Sequence, residues 1–272
     1  MTPEMIQEQS VQATMLIPLY GRAKMSELYP EILYDGEAVR LVAELDTDFS
    51  KIESAFGEYG GISCLARSSR IDSEVRGFLE KYPESTVVNI GAGLDTTFSR
   101  VDNGRVLWYN LDLPDAIAYR QTLVSPSERC ADIPKSVFDY SWLDDITLGR
   151  SGRLLLVSGG VFYYLERDML REMLQRIIAR FPQGTLFFDA AAFFGYKISN
   201  QMVKNSGNSG AEMRFYLNGA AALRRWSPHI KTVEIFPIFK ELRFDKRWRF
   251  ITRAMMRLCD LFGMAKYVRI TW

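Results

Sequence analysis

Histidine is nearly missing from this chain: His229 is the single one among 272 residues. Centres built from clustered imidazoles, and schemes needing several histidine bases, have no material here. Cysteine is sparse too. Cys64, Cys130 and Cys259 are scattered without a Cys-x-x-Cys spacing, which predicts unpaired thiols in a reducing compartment and no metal site. No run approaches the ~20 apolar residues of a membrane span, and the start, Met1-Thr2-Pro3-Glu4-Met5, lacks a basic region followed by an apolar one. A soluble, cytoplasmic protein with no membrane partner is the expectation. A charge excess is lacking as well: 34 basic and 33 acidic residues leave +1, so no nucleic-acid partner is expected.

What is present is material for a core, with 47% hydrophobic and 25% charged residues. The length suits one large α/β unit with an attached cap. Within it, Thr86-Val87-Val88-Asn89-Ile90 is a β-branched apolar run that ends in Gly91-Ala92-Gly93-Leu94-Asp95-Thr96-Thr97. That pattern predicts a buried parallel strand turning sharply into a helix, whose free N–H groups face a ligand. Many Gly-x-Gly turns bind nothing. Here a second strand, Arg105 to Asp112, ends in an acid 19 positions after Gly93, close to the spacing of about 20 that sets a carboxylate against ribose hydroxyls. The third glycine of the dinucleotide fingerprint is absent, since Thr96 holds that place. A nucleoside without a diphosphate, such as S-adenosylmethionine, fits better than a dinucleotide.

Further strands are predicted at about 128–132, 153–158, 184–190, 230–236 and 266–271, with helices near 96–102, 114–124, 140–148, 166–181 and 246–262. This rhythm predicts an α/β fold with a doubly wound sheet. Residues 1–80 read as a helical region broken into short pieces by Pro18 and Pro30, and 81–272 as the sheet domain, with an insertion at about 191–225.

Asn89 to Arg100 and Asp112-Leu113-Pro114 resemble the leucine carboxyl methyltransferase family, which includes the tetracenomycin-type polyketide O-methyltransferases. The similarity continues in order through Ala66-Arg67, Ile71-Asp72, Phe138 to Trp142, Gly160 to Leu165 and Leu186 to Ala190. It implies a seven-stranded Rossmann-like sheet whose last strand is antiparallel, a cap lying over the cofactor mouth, and S-adenosyl-L-methionine as cofactor. It also implies that Arg67 pairs with the methionyl carboxylate, that Asp139 and Tyr140 meet the adenine edge, and that Arg22 or Lys24 adds a basic contact. Without the resemblance, Arg67 reads as a surface arginine and Asp139 equally as a helix N-cap. The expected cofactor-binding set is Arg67, Asn89, Gly91, Ala92, Gly93, Asp95, Thr96, Asp112, Leu113, Asp139, Tyr140, Ser158 and Gly159.

One departure stands out. Where much of the family has an acid after the fourth strand, this chain has Gly159, in Val157-Ser158-Gly159-Gly160; backbone carbonyls at 158 and 159 are the substitute acceptors for an ammonium group. No residue declares itself a general base. Asp189, Tyr163 and His229 are candidates, each with a structural alternative as cap, packing residue or lone structural histidine.

The insertion carries Phe193, Phe194, Tyr196, Phe215 and Tyr216, which suits an aromatic lid over a hydrophobic acceptor, or equally a packed helical pair. Its Asn205 to Gly210 tract is expected to be flexible. Near the C-terminus, Arg243, Lys246, Arg247, Trp248, Arg249 and Arg253 read as a solvated helix face, which the overall charge balance favours, or as a contact for an anionic partner or membrane surface. Phe250, Ile251, Met255 and Leu258 at helical spacing predict a helix docked on the sheet. The resulting expectation is an O-methyltransferase acting on a small aromatic or polyketide-like acceptor, with a homo-oligomer possible. Methylation of a protein C-terminal carboxylate is the near alternative, and a non-catalytic nucleoside-binding module the distant one.

Overall fold

The computed structural model describes residues 11–125, 127–206, 212–242 and 244–272. Seven strands form one sheet in the order β3-β2-β1-β4-β5-β7-β6. β1 (Thr86–Ile90), β2 (Leu107–Asp112), β3 (Cys130–Pro134), β4 (Leu154–Ser158) and β5 (Gly184–Ala191) run parallel, whereas β7 (Ala265–Thr271) is antiparallel to both β5 and β6 (Thr232–Pro237). The helices in chain order are α1 (Val11–Leu28), α2 (Gly36–Glu44), α3 (Ser50–Lys81), α4 (Thr97–Val101), α5 (Pro114–Gln121), α6 (Arg167–Arg180), α7 (Phe193–Ser206), α8 (Ala220–Arg224) and α9 (Phe250–Leu261).

The central strands are apolar on both sides because both faces are covered. Leu154 and Leu156 of β4 point into one layer with Leu170, Leu174 and Ile177 of α6. Their neighbours Leu155 and Val157 point into the other, with Ile71, Val75 and Leu79 of α3. Each such side chain contributes about 1.5–3 kcal/mol on burial. Because α3 also runs alongside α1, it belongs to sheet and cap at once, and residue 80 marks the end of a shared helix.

Several local expectations change. α1 runs through Pro18 without a break, and the Pro18 carbonyl accepts from Arg22 Nη1 at 3.2 Å. The helix expected at 140–148 is only a 3-10 turn, Tyr140–Leu143. Phe215 is core, buried against Trp226, so the aromatics of the insertion divide between core and surface. α9 docks through Thr252, Met256 and Cys259; Phe250, Ile251, Met255 and Leu258 all face outward. The Gly207 to Gly210 part of the tract expected to be flexible, and Arg243, lie outside the described residues.

A buried charge network joins the N-terminal helices to the start of α4. Asp35, the N-cap of α2, accepts from Arg22 Nε at 3.1 Å, Arg100 Nη1 at 2.6 Å and the Thr96 hydroxyl at 2.6 Å. Arg100 also grips Asp72 with two N–H groups at 2.7 and 2.8 Å. Burial alone would raise the Asp35 carboxyl, but the Arg100 and Arg22 guanidiniums outweigh it and hold the group below its usual value. A carboxyl depressed in the folded state stabilises above its unfolded pKa of about 3.9, and that contribution is lost as pH falls through the folded value. Asp35→Asn should therefore lose roughly 3–5 kcal/mol at neutral pH, by analogy with other broken buried pairs. Urea unfolding at stepped pH checks this: the gap between wild type and variant should close in acid, and a gap independent of pH would contradict the electrostatic account.

Candidate active site

β1 breaks into its loop because Gly91 and Gly93 take positive φ, 69° and 44°. A Cβ at Gly91 would lie 2.3 Å from Val161 Cγ2, and one at Gly93 would meet Met15 at 3.1 Å, so neither position has room for a side chain. The loop is pinned from several directions. Gly93 N–H donates to Asp112 Oδ2 at 2.7 Å, Leu113 N–H to Asp112 Oδ1 at 2.7 Å, and Arg120 Nη1 to the carbonyls of Gly93 and Asp95 at 2.9 and 2.6 Å. Asn89 Nδ2 donates to Asp95 Oδ1 at 3.0 Å, and the same oxygen accepts Thr97 N–H at 2.9 Å, opening α4.

These contacts sort the expected site residues. Asn89 and Asp95 shape the turn, and Ala92 is buried within it. The Thr96 hydroxyl is committed to Asp35, beneath the loop. Asp112 uses both oxygens on backbone N–H groups, yet each keeps a lone pair for a further donor; burial raises its carboxyl above the ordinary range against the lowering effect of those N–H groups. Leu113 is substantially exposed beside it. Pro134 of β3 pairs with Asp112, so the chain leaving β3 toward Asp139 and Tyr140 starts on the same rim. Asp139 caps the 3-10 turn through Ser141 N–H, a bond that lowers its carboxyl. Ser158 donates to the Ile90 carbonyl at 3.1 Å, clasping β4 to β1.

The arginines divide by how fully they are engaged. Arg22 is consumed structurally, holding Asp35 and the Leu94 carbonyl at 2.8 Å, and Lys24 pairs with Glu53 on the surface at 3.7 Å. Arg22 thus reaches the loop as a structural tie, and Lys24 is engaged away from it. Arg67 differs: its partners are long, Asp189 Oδ2 at 3.4 Å and Cys64 Sγ at 3.8 Å. Most of its donors remain free. Its stem lies 3.3 Å from where a Cβ on Gly159 would stand, and its Nη1 2.8 Å from one on Gly160. An acid at position 159 would thus contend with Arg67 and Ile71 for the same space.

Asp189 lies inside β5 rather than at its end, and its Oδ1 accepts Gly160 N–H at 2.7 Å. Tyr163 and Tyr267 stand beside it. Burial, and then the negative charge of Asp189, push both phenols well up, so each keeps its proton at neutral pH. The Tyr267 hydroxyl has no hydrogen-bond partner. Tyr163 is therefore a proton donor rather than a ready base. His229 is at the other end: it precedes β6, whose first residue Thr232 pairs with Thr271, itself opposite Thr185 at the start of β5. Its removal from the rim follows from strand direction.

The insertion is fastened over this rim. Arg214 and Phe215 N–H groups donate to the Tyr163 carbonyl at 2.7 and 3.0 Å, and Leu217 N–H to the Ala191 carbonyl at 2.8 Å. Phe193, Tyr196 and Tyr216 form an aromatic cluster with ring centroids 5.1–6.4 Å apart. Asp35, Arg100, Arg120, Met15 and Val161 all shape the loop, yet the sequence reading assigned them no part in it. Asp35, Arg100 and Arg120 are charges in stretches read as helical, which ordinarily mark a solvated face, and Met15 and Val161 are apolar residues that ordinarily mark packing.

No protein-family profile matches the chain. It is 32% identical over 188 residues to the tetracenomycin polyketide synthesis O-methyltransferase TcmP of Streptomyces glaucescens, covering 69% of this chain and 68% of that one. It is 23% identical over 271 residues to an S-adenosyl-L-methionine-dependent methyltransferase of Gibberella zeae, covering 93% and 91%. Among solved structures, a DUF574 family protein of Streptomyces avermitilis aligns with a TM-score of 0.58 at 13% identity, over 93% of this chain and 96% of that one. A methyltransferase structure from Thermobifida fusca aligns with a TM-score of 0.56 at 14% identity, over 92% and 93%. Those two likenesses show the fold. With the ordered motifs and the 32% identity, they establish that the chain belongs to the tetracenomycin-type O-methyltransferase family of S-adenosylmethionine-dependent methyltransferases.

Proposed function

We propose that the protein is an O-methyltransferase acting on an acidic hydroxyl or a carboxylate of a small aromatic, polyketide-like metabolite. The observation that carries the reading is the meeting, on one rim, of the glycine loop anchored to Asp112 and an arginine fork with donors to spare. The loop and Asp112 suit a nucleoside, and Arg67 suits an α-carboxylate. With Met15 against Gly93, the N-terminal helices act as the cap over this site, and the insertion acts as the acceptor's cover.

Bound S-adenosylmethionine supplies a methyl group already activated for nucleophilic attack. The chain's task is then to orient the two partners and exclude water. Tyr163 keeps its proton and Asp189 is held by Gly160 N–H and Arg67, so neither of these rim candidates is a strong free base among the described residues. An acceptor that is anionic by its own chemistry needs none. The aromatic cluster of Phe193, Tyr196 and Tyr216 supports a flat, apolar acceptor, and the Streptomyces relative is an O-methyltransferase of tetracenomycin polyketide synthesis. A cytoplasmic location fits a soluble acceptor of this kind.

Calorimetric titration with S-adenosylmethionine and S-adenosylhomocysteine should give binding that falls roughly 10- to 100-fold in Arg67→Ala and in Asp112→Ala, as expected for losing a charge-assisted bond. Undiminished binding in both variants would refute the assignment. Gly159→Glu should not raise affinity, because the new carboxylate would displace the Arg67 stem; a gain would show the loop has room. Methyl incorporation followed by mass spectrometry over a panel of aromatic phenols and acids tests the acceptor. With a phenol, the rate should rise with pH through the acceptor's own pKa; with a carboxylate, it should stay flat above it.

A further inference from the structure

α9 presents its apolar side to water. Phe250, Ile251, Met255, Leu258, Leu261 and Phe262 are each between 43% and 79% exposed. At 3.6 residues per turn they share, with Ala254, an arc of roughly 140° opposite the docked face. The helix is fixed from beneath: Trp248 is buried, Arg249 N–H and the Thr252 hydroxyl donate to Glu58 at 3.0 and 2.5 Å, and Met256 and Cys259 face inward. This is an ordered surface.

Its edge is cationic. Arg253 and Arg257 border the arc, with Arg249 and Lys246 at the N-terminal end, and none forms an ion pair among the described residues. Phe250, Arg253, Ala254, Arg257 and Leu258 line one shallow depression. The one acid on the helix, Asp260, is turned inward to Phe239 N–H at 3.1 and 3.2 Å. An antiparallel pairing of this face with a second copy would set the arginine edges against each other. The arc pairs exposed apolar side chains with cations at its edge, the combination that an anionic lipid surface complements.

We infer that α9 is an interfacial helix that seats the protein on an anionic lipid surface, its apolar arc among the acyl chains and its arginines at the headgroup phosphates. Apolar burial and electrostatic attraction to anionic lipid act together in such binding. The face also adjoins the acceptor cover. After α9 the chain turns into β7, where the Met264 carbonyl accepts Ala192 N–H at 2.9 Å, just ahead of the exposed Phe193 and Phe194 of α7. Seating on lipid would bring that entrance to the bilayer surface. The inference does not depend on methyl transfer. The basic tail thus has a use other than the solvated face that the charge balance suggested.

Flotation with phosphatidylglycerol/phosphatidylcholine vesicles tests it, beside vesicles of phosphatidylcholine alone. Wild-type protein should float with the anionic vesicles and be released by salt. Leu261→Glu should weaken partition roughly tenfold or more, as loss of one buried apolar side chain requires, and Arg253→Gln roughly fivefold. Both substitutions are on an exposed face, and unchanged thermal melting would show that each variant folds. Failure of wild type to float, equal flotation of Leu261→Glu, or no preference for anionic lipid would overturn the inference. A dimer in sedimentation velocity that Leu261→Glu splits would assign the face to a second copy. Saturable binding of an acidic amphipathic peptide without flotation would assign it to a protein partner.

Discussion

The glycine loop depends on four buried charges beneath it. Asp35 and Asp72 carry two negative charges and Arg22 and Arg100 two positive ones, so the cluster is neutral, and every member is hydrogen-bonded. An isolated charge at that depth would cost several kcal/mol, which makes the cluster all-or-none. Its members come from α1, the cap of α2, α3 and α4. A shift of any of these helices would strip an ion of its partner. The N-terminal helices and the loop are thus one electrostatic unit, although they are far apart in sequence.

Engagement separates Arg100 and Arg120 from Arg67. Arg100 meets Asp72 with matched donors at 2.7 and 2.8 Å and Arg120 meets two carbonyls at 2.9 and 2.6 Å, so each already has good partners. Arg67 has only contacts of 3.4 and 3.8 Å. A guanidinium with donors to spare at the carboxyl end of a parallel sheet is where an anionic ligand gains most. The Gly159 departure follows the same logic: the space beside Gly159 is filled by the Arg67 stem and Ile71, and the carboxylate nearest that fork comes from Asp189 on the neighbouring strand.

Sequence showed what is local and periodic. β1 and β4 are apolar runs bounded by glycine, and the acid closing β2 keeps a fixed distance from its loop, so strand positions, glycine turn and the acid at Asp112 were legible. Contacts that cross the chain were not. Asp35 and Arg100 are 65 positions apart, and no pattern in either helix announces that they meet. Pro18 misled because its helix-breaking tendency is local, whereas α1 is held by packing of Met15, Leu16 and Leu19 with Ala38, Leu41 and Leu94. His229 precedes β6, which runs in the same direction as β5, so it lies at the amino ends of the strands, opposite the rim. In α9 the helical period was plain, yet a period marks a face without saying what covers it.

That neither Tyr163 nor Asp189 is a strong free base is consistent with how little this reaction asks of the protein. An activated methyl group needs an aligned nucleophile in a dry space, and alignment alone can supply much of the acceleration. Under the proposed function, selectivity lies in the cover. Here the cover is tied to the rim by backbone bonds, from Arg214 and Phe215 to Tyr163 and from Leu217 to Ala191, while the side chains it presents are aromatic. Backbone anchoring leaves those side chains free to vary without disturbing the cradle below. A change of acceptor within such a scaffold then calls for new rings in the cover, with the buried charges, the glycine loop and Asp112 left in place.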